Sequence, residues 1–230
     1  MTTVQESRNR HLPTANPKRR PMPRTFGKFT LVAYIIVVAV SLNACVGAED
    51  SESSTTPTLS GHIPEPFSSS TSVVTLTPID GAASAAPPDT AQMDQYAVTF
   101  IPELLIARVG QTVRFQNSEE IHHNVRLVET ATDSTWFNVV TVTGDPYVHT
   151  FTRTGWFDVS CDMHPGMSAF LFVTDDEFWA IPDDAGYFSF DVLPAGTYRA
   201  SLWTRSAVEP VTLEIEVTST PMDVSFDSVR

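Results

Sequence analysis

The sequence predicts an all-β protein, a Greek-key β-sandwich with a second, smaller β-sandwich. Three observations predict it. Between Met93 and Val173 short runs of β-formers follow one another with turn residues between them. Two of these runs, Thr112-Val113-Arg114-Phe115-Gln116 and Trp156-Phe157-Asp158-Val159-Ser160, alternate cleanly between apolar and polar. No stretch has the period and length of a useful helix, since Asp94 to Arg108 contains Pro102 and too many β-formers.

The expected strands of the first sandwich are Tyr96–Phe100, Leu104–Arg108, Thr112–Gln116, His122–Val128, Phe137–Val142, Tyr147–Phe151, Gly155–Ser160 and Ser168–Val173. Pro102, Gly110, Gly144-Asp145-Pro146 and Gly155 break the runs. Two further alternating stretches, Val208–Val217 and Met222–Val229, predict strands in the tail. Residues Gly81–Gln92, rich in Ala and Pro, read as a linker.

Five segments follow: 1–44, 45–58, 59–92, 93–174 and 175–230. The first is basic, then apolar from Phe29 to Leu42, and has the length of a signal peptide. It ends in Leu42-Asn43-Ala44-Cys45, which resembles the lipobox of bacterial lipoproteins. That resemblance implies cleavage before Cys45 and lipidation of its thiol. An uncleaved anchor helix is the alternative. Both place the rest of the chain outside the cytoplasm and tie it to a membrane, in a bacterial periplasm or at a cell surface. Residues 45–58 are small, polar and acidic, and read as a flexible tether.

Charge excludes one class of partner. From Cys45 onward seven arginines face 26 acids, a balance of −19. Such a chain repels nucleic-acid backbones, so no nucleic acid is expected. The acidity suits a solvated surface or a basic docking partner.

The chemistry concentrates in Cys161-Asp162-Met163-His164-Pro165-Gly166-Met167. A thiolate, an imidazole and a thioether share one loop at C-x2-H-x2-M spacing. A second imidazole lies upstream in Ile121-His122-His123-Asn124-Val125. Cys161, His123 and His164 with a weaker Met167 are the donor set of a mononuclear blue-copper site. Soft sulfur suits copper(I), imidazole suits copper(II), and the mixed set serves both. A disulfide to Cys45 would compete, but each cysteine has a separate role in this reading. His122 competes with His123, and strand alternation turns only one of them inward. Met163 reads as loop packing, and His62 and His149 as solvated.

The order Phe100-Ile101-Pro102, Val109-Gly110-Gln111-Thr112-Val113-Arg114-Phe115-Gln116-Asn117, His123-Asn124-Val125, Gly155 and Cys161…His164…Met167 resembles the cupredoxin family, amicyanin and plastocyanin among its members. The resemblance covers about residues 93–174. It implies a Greek-key cupredoxin β-sandwich holding one copper ion that cycles between Cu(I) and Cu(II). It makes His123 the buried ligand, His164 the ligand near the surface, and Asn124 a tie between the two ligand segments. Asp162 stands where relatives often carry a hydroxyl or amide residue, so the tie and the potential are open at that position. The implied function is shuttling of single electrons to a redox protein partner, with no small-molecule substrate and no enzyme activity. A copper-binding or adhesive surface module without redox cycling is the alternative.

In the tail, Asp183…Gly186-Tyr187-Phe188-Ser189-Phe190 and Leu193-Pro194-Ala195-Gly196-Thr197-Tyr198 resemble the carboxypeptidase regulatory-like (transthyretin-like) β-sandwich module. The tail alone has too few strands to close a sandwich. Gly61-His62-Ile63 and Val73–Pro78 resemble the opening strands of that module. A module split around the first sandwich is therefore expected, with one continuous β-domain as the alternative.

Overall fold

The computed structural model describes residues 59–65, 69–81 and 89–226. The expected signal segment, Cys45 and the tether lie outside the described residues. Among these residues no helix is long and apolar enough to cross a membrane.

The chain enters through β1 (Leu59–His62), a short 3-10 turn (Ser69–Thr71) and β2 (Ser72–Pro78). Nine strands follow: β3 (Ala91–Tyr96), β4 (Thr99–Ile101), β5 (Leu104–Arg108), β6 (Thr112–Asn117), β7 (His123–Glu129), β8 (Ser134–Thr141), β9 (Tyr147–Thr150), β10 (Gly155–Ser160) and β11 (Ser168–Thr174). The tail adds β12 (Phe178–Ala180), β13 (Tyr187–Phe190), β14 (Gly196–Thr204), β15 (Val211–Val217) and β16 (Met222–Ser225).

One sheet of the first sandwich runs β5-β11-β10-β7-β8, the other β4-β3-β6-β9. Most neighbours are antiparallel, but β5 runs parallel to β11 and β3 parallel to β6. Inward residues alternate with outward ones, as in β6, where Val113, Phe115 and Asn117 are buried. Val125, Leu127, Phe157, Val159 and Leu171 meet them in one core that also contains Cys161 and Met167.

The second sandwich pairs a sheet ordered β12-β2-β14-β15 with one ordered β13-β1-β16. The two strands that precede the first sandwich are thus hydrogen-bonded to strands that follow it. β1 lies antiparallel to β13 and parallel to β16, and β2 lies antiparallel to β12 and β14. Leu59, Leu76, Phe188, Tyr198, Leu202 and Phe226 form a separate core. The Tyr198 hydroxyl donates to the Pro194 carbonyl at 2.8 Å, a corner brace of the kind β-sandwiches use. Burial, and then the neighbouring Glu177 charge, raise its pKa above the usual tyrosine value.

Gly61 in β1 sits where two neighbours leave no room. An added Cβ would collide with the Val224 carbonyl oxygen of β16 and lie 2.7 Å from the Phe188 ring. Gly61→Ala is expected to destabilise the second sandwich by about 1–3 kcal/mol, because backbone cannot step aside as a side chain can. Urea unfolding followed by circular dichroism measures it.

Four expectations need correction. Tyr96–Phe100 is not one strand: Ala97 and Val98, at φ of 54° and 56°, form a two-residue hairpin turn. Turns of that hand usually carry Asn-Gly, so Ala-Val gave no turn signal. Ala91 and Gln92, read as linker, begin β3 and pair with Val113 and Arg114. Strand pairing overrode their poor local propensity. His149 is half-buried among Trp136, Phe137 and Phe151, with ring centroids 4.8–5.9 Å away. Burial lowers its pKa below the ordinary histidine value. Met163 is not loop packing, for it is 46% exposed.

Candidate metal centre

β7 starts at His123 and points that imidazole into the sandwich, where it is fully buried. His122, one residue earlier, is exposed. β10 ends at Ser160, and the chain turns through Cys161–Met167 before returning as β11. Two backbone bonds close this turn: Cys161 N–H donates to Met167 O at 3.0 Å, and Met167 N–H to His164 O at 3.1 Å. Gly166, at φ 87°, permits the reversal.

The closure brings three donors together. His123, Cys161 and His164 place their ligand atoms within 4.8 Å of one another. Cys161 Sγ lies 3.9 Å from His123 Nδ1 and 3.6 Å from His164 Nδ1. The two imidazole rings are 4.6 Å apart between centroids. Metal bonds of about 2.0 Å to nitrogen and about 2.3 Å to sulfur, opened by roughly 120°, would set N and S about 3.7 Å apart. The donor set and its spacing therefore fit a copper ion in a trigonal S/N/N plane. Met167 is buried in the same core cluster as Cys161. His164 is half-exposed, and His123 is not exposed at all.

Asn124 ties the ligand segments together. Its Oδ1 accepts from the backbone N–H of Asp162 at 2.8 Å and of Met163 at 3.3 Å, and lies 3.2 Å from Cys161 Sγ. Its Nδ2 donates to Asn138 Oδ1 at 2.8 Å and to Asp162 Oδ2 at 3.3 Å. Asn138 Nδ2 donates to the same Asp162 oxygen at 2.7 Å. Asp162 thus joins the tie. The carboxylate satisfies two amide donors of β7 and β8 from the loop side. Asn124→Ala is expected to cost the metal-free chain about 2–3 kcal/mol, by orphaning the loop amides and these side-chain donors. Thermal melts of the metal-free protein measure it.

Four supporting residues escaped the sequence reading. Glu119 Oε2 sits 2.8 Å from His123 Nε2, and its Oε1 accepts from Val98 N–H at 3.0 Å. The bond to His123, then the turn amides, hold its pKa below the usual carboxylate range against the opposing effect of burial. A carboxylate only accepts, so in this bond Nε2 donates, and Nδ1 is the ring nitrogen on the Cys161 side. The signal was a carboxylate four residues before a candidate ligand. Thr143 Oγ1 also donates to the Glu119 carbonyl. Buried Gln95 on β3 donates to the Asn124 carbonyl at 3.2 Å and backs the ligand strand. Asn138 carried no signal, because it meets Asn124 only through β7–β8 pairing.

Comparisons with known proteins add the following. No protein-family model matches the chain, and no curated protein matches it. Among solved structures it is similar to a purple cupredoxin from Nitrosopumilus maritimus, at 26% identity and a TM-score of 0.32 over 36% of this chain and 98% of that one. It is similar to amicyanin from Paracoccus versutus at 22% identity and a TM-score of 0.34, over 43% of this chain and 97% of that one. A copper-containing nitrite reductase from Thermus scotoductus SA-01 is similar at 24% identity and a TM-score of 0.35, over 42% of this chain but only 25% of that one. Each likeness spans about two fifths of this chain, and what the site can do is argued from its own side chains.

Proposed function

We propose that the protein is a membrane-tethered, extracytoplasmic blue-copper electron carrier. The observation that carries the reading is the convergence of Cys161 Sγ, His123 Nδ1 and His164 Nδ1 inside a hydrogen-bonded cage. Bound copper supplies a one-electron couple. The chain's residues do the rest. His123, Cys161 and His164 would hold the ion, and Met167 would add a weaker fourth donor. Glu119 and Asn124 keep His123 and the loop in place, so little has to move as the oxidation state changes. The half-exposed imidazole of His164 is the path by which electrons enter and leave. The reading assigns the site electron transfer and no bond-making chemistry.

The lipobox motivates a lipid anchor at Cys45 and a place at the outer face of the cytoplasmic membrane or on the cell surface. The −19 charge balance of the region from Cys45 onward motivates a basic redox protein as partner. The second sandwich, on residues 59–82 and 175–230, is assigned as a carboxypeptidase regulatory-like module with no catalytic role of its own.

Copper titration of the purified chain, followed by optical and paramagnetic-resonance spectra and by voltammetry, tests this. The expected result is one copper per chain, an intense visible thiolate-to-copper band and a reversible one-electron wave. Copper bound without a wave would favour a storage or structural site. Partner association should weaken as salt rises, and salt-independent binding would rule out the charge-steered partner.

A further inference from the structure

β10 and β11 are the two legs of the ligand loop. They pair from Gly155↔Val173 up to Ser160↔Ser168, immediately before Cys161 and after Met167. On their inner face Phe157, Val159, Ala169, Leu171 and Val173 enter the first core. Their outer face is also covered. Trp156 and Phe172 are buried with Leu104, Ile106 and Val73, and Val73 belongs to β2 of the second sandwich. The Phe172 ring lies 4.8 Å from Trp156 and 5.6 Å from Trp203 of β14.

One residue past the end of β14, Arg205 locks this contact. Its Nε donates to Asp158 Oδ1 at 2.6 Å and its Nη2 to Asp158 Oδ2 at 2.7 Å. The guanidinium lies over the Phe170 ring at 5.3 Å, and the Arg205 N–H donates to the Thr71 carbonyl at 3.0 Å. One side chain therefore grips both legs, Asp158 on β10 and Phe170 on β11. A planar two-donor fork fixes direction as well as distance. Asp158 is three residues from Cys161, about 10 Å along an extended strand.

We propose that the second sandwich is a clamp on the ligand loop, and that Arg205 is a positioning residue for the metal centre. The proposal rests on the copper reading above and adds to it a role for the tail. Packed β-layers are close to crystalline in density, so a leg held on both faces cannot tilt without disturbing both cores. A site whose donors are held before metal arrives binds and keeps that metal better. By linkage, the contact can help copper only by as much as it contributes itself. The pair is partly open to solvent, with side-chain exposures of 37% and 31%, which places the effect of Arg205 alone at about fivefold.

The test uses the full chain loaded with copper(II), with release followed in excess chelator. Arg205→Ala should speed release about fivefold, and Arg205→Lys, which keeps the charge but loses the fork, should fall between. Trp203→Ala should act in the same direction. The copper hyperfine splitting should shift in each variant, and the copper-loaded melting temperature should drop further than the metal-free one. Equal drops in the two melts with unchanged release and hyperfine splitting would overturn the clamp while leaving the electron-carrier reading intact. A chain that takes up no copper would overturn both. The unmodified chain supplies an independent measurement. Reciprocity requires copper loading to slow amide hydrogen exchange at Trp203 and Arg205, and identical exchange with and without copper would overturn the proposal.

Discussion

Cys161→Ser is expected to abolish the intense visible band of the copper-loaded protein and to lower copper affinity by more than about 100-fold. Supporting residues of metal ligands are each worth roughly 10–100-fold, and a direct donor is worth more. The band arises from charge transfer out of the thiolate, and a serine hydroxyl is a hard, weakly acidic donor that cannot replace it. The substitution is nearly isosteric, and Cys161 is buried against Asn124 Oδ1, which a hydroxyl can also reach. Metal-free stability should therefore stay within about 1 kcal/mol of the parent. Absorbance during copper titration reads the first effect and a metal-free melt the second. A variant that keeps the band would remove Cys161 from the centre.

Phe157→Ala is expected to be the most damaging single truncation among the strands that carry the loop, at about 3–5 kcal/mol. Phe157 is fully buried, with ring centroids 4.7 Å from Trp136 and 5.2 Å from Phe151. These two neighbours lie on β8 and just beyond the end of β9, so no single element can collapse into the cavity. At this chain length the loss corresponds to a fall of roughly 10 °C in melting temperature. Val140→Ala, at a position 60% exposed, should stay within about 0.5 kcal/mol. Differential scanning calorimetry of both variants gives the comparison. Similar losses in the two would contradict the core described above.

Much of the donor set was legible because metal chemistry is written in residue types. A Cys, a His and a Met inside seven residues have few other reasons to coincide. Strands whose faces alternate were legible too: Leu104–Arg108 and Gly155–Ser160 have the same ends in sequence and in structure. The Ala97-Val98 turn was not, because its positive φ angles are imposed by hairpin closure and no Gly or Asn marks them. Glu119 holds both the Val98 amide and His123, so that unfavourable turn is tied directly to a candidate ligand. β3 was missed in part because Ala91 and Gln92 become a strand only through their parallel partner β6, which lies some 20 residues away.

The sequence by itself determined the fold class, the candidate ligands and the acidity, since each follows from composition or from spacing along one short stretch. The tertiary structure decided what depends on distant segments meeting. It buried His123, the imidazole that the resemblance had already picked as the inward one, and left His122 in solvent. It drew Asp162, Asn124 and Asn138 into one network across the loop. It set Arg205 against Asp158, 47 residues away, so that the tail grips the strands of the loop. The physical reason is common to all three. A strand's periodicity says which residues share a face, but only pairing and packing say what that face meets.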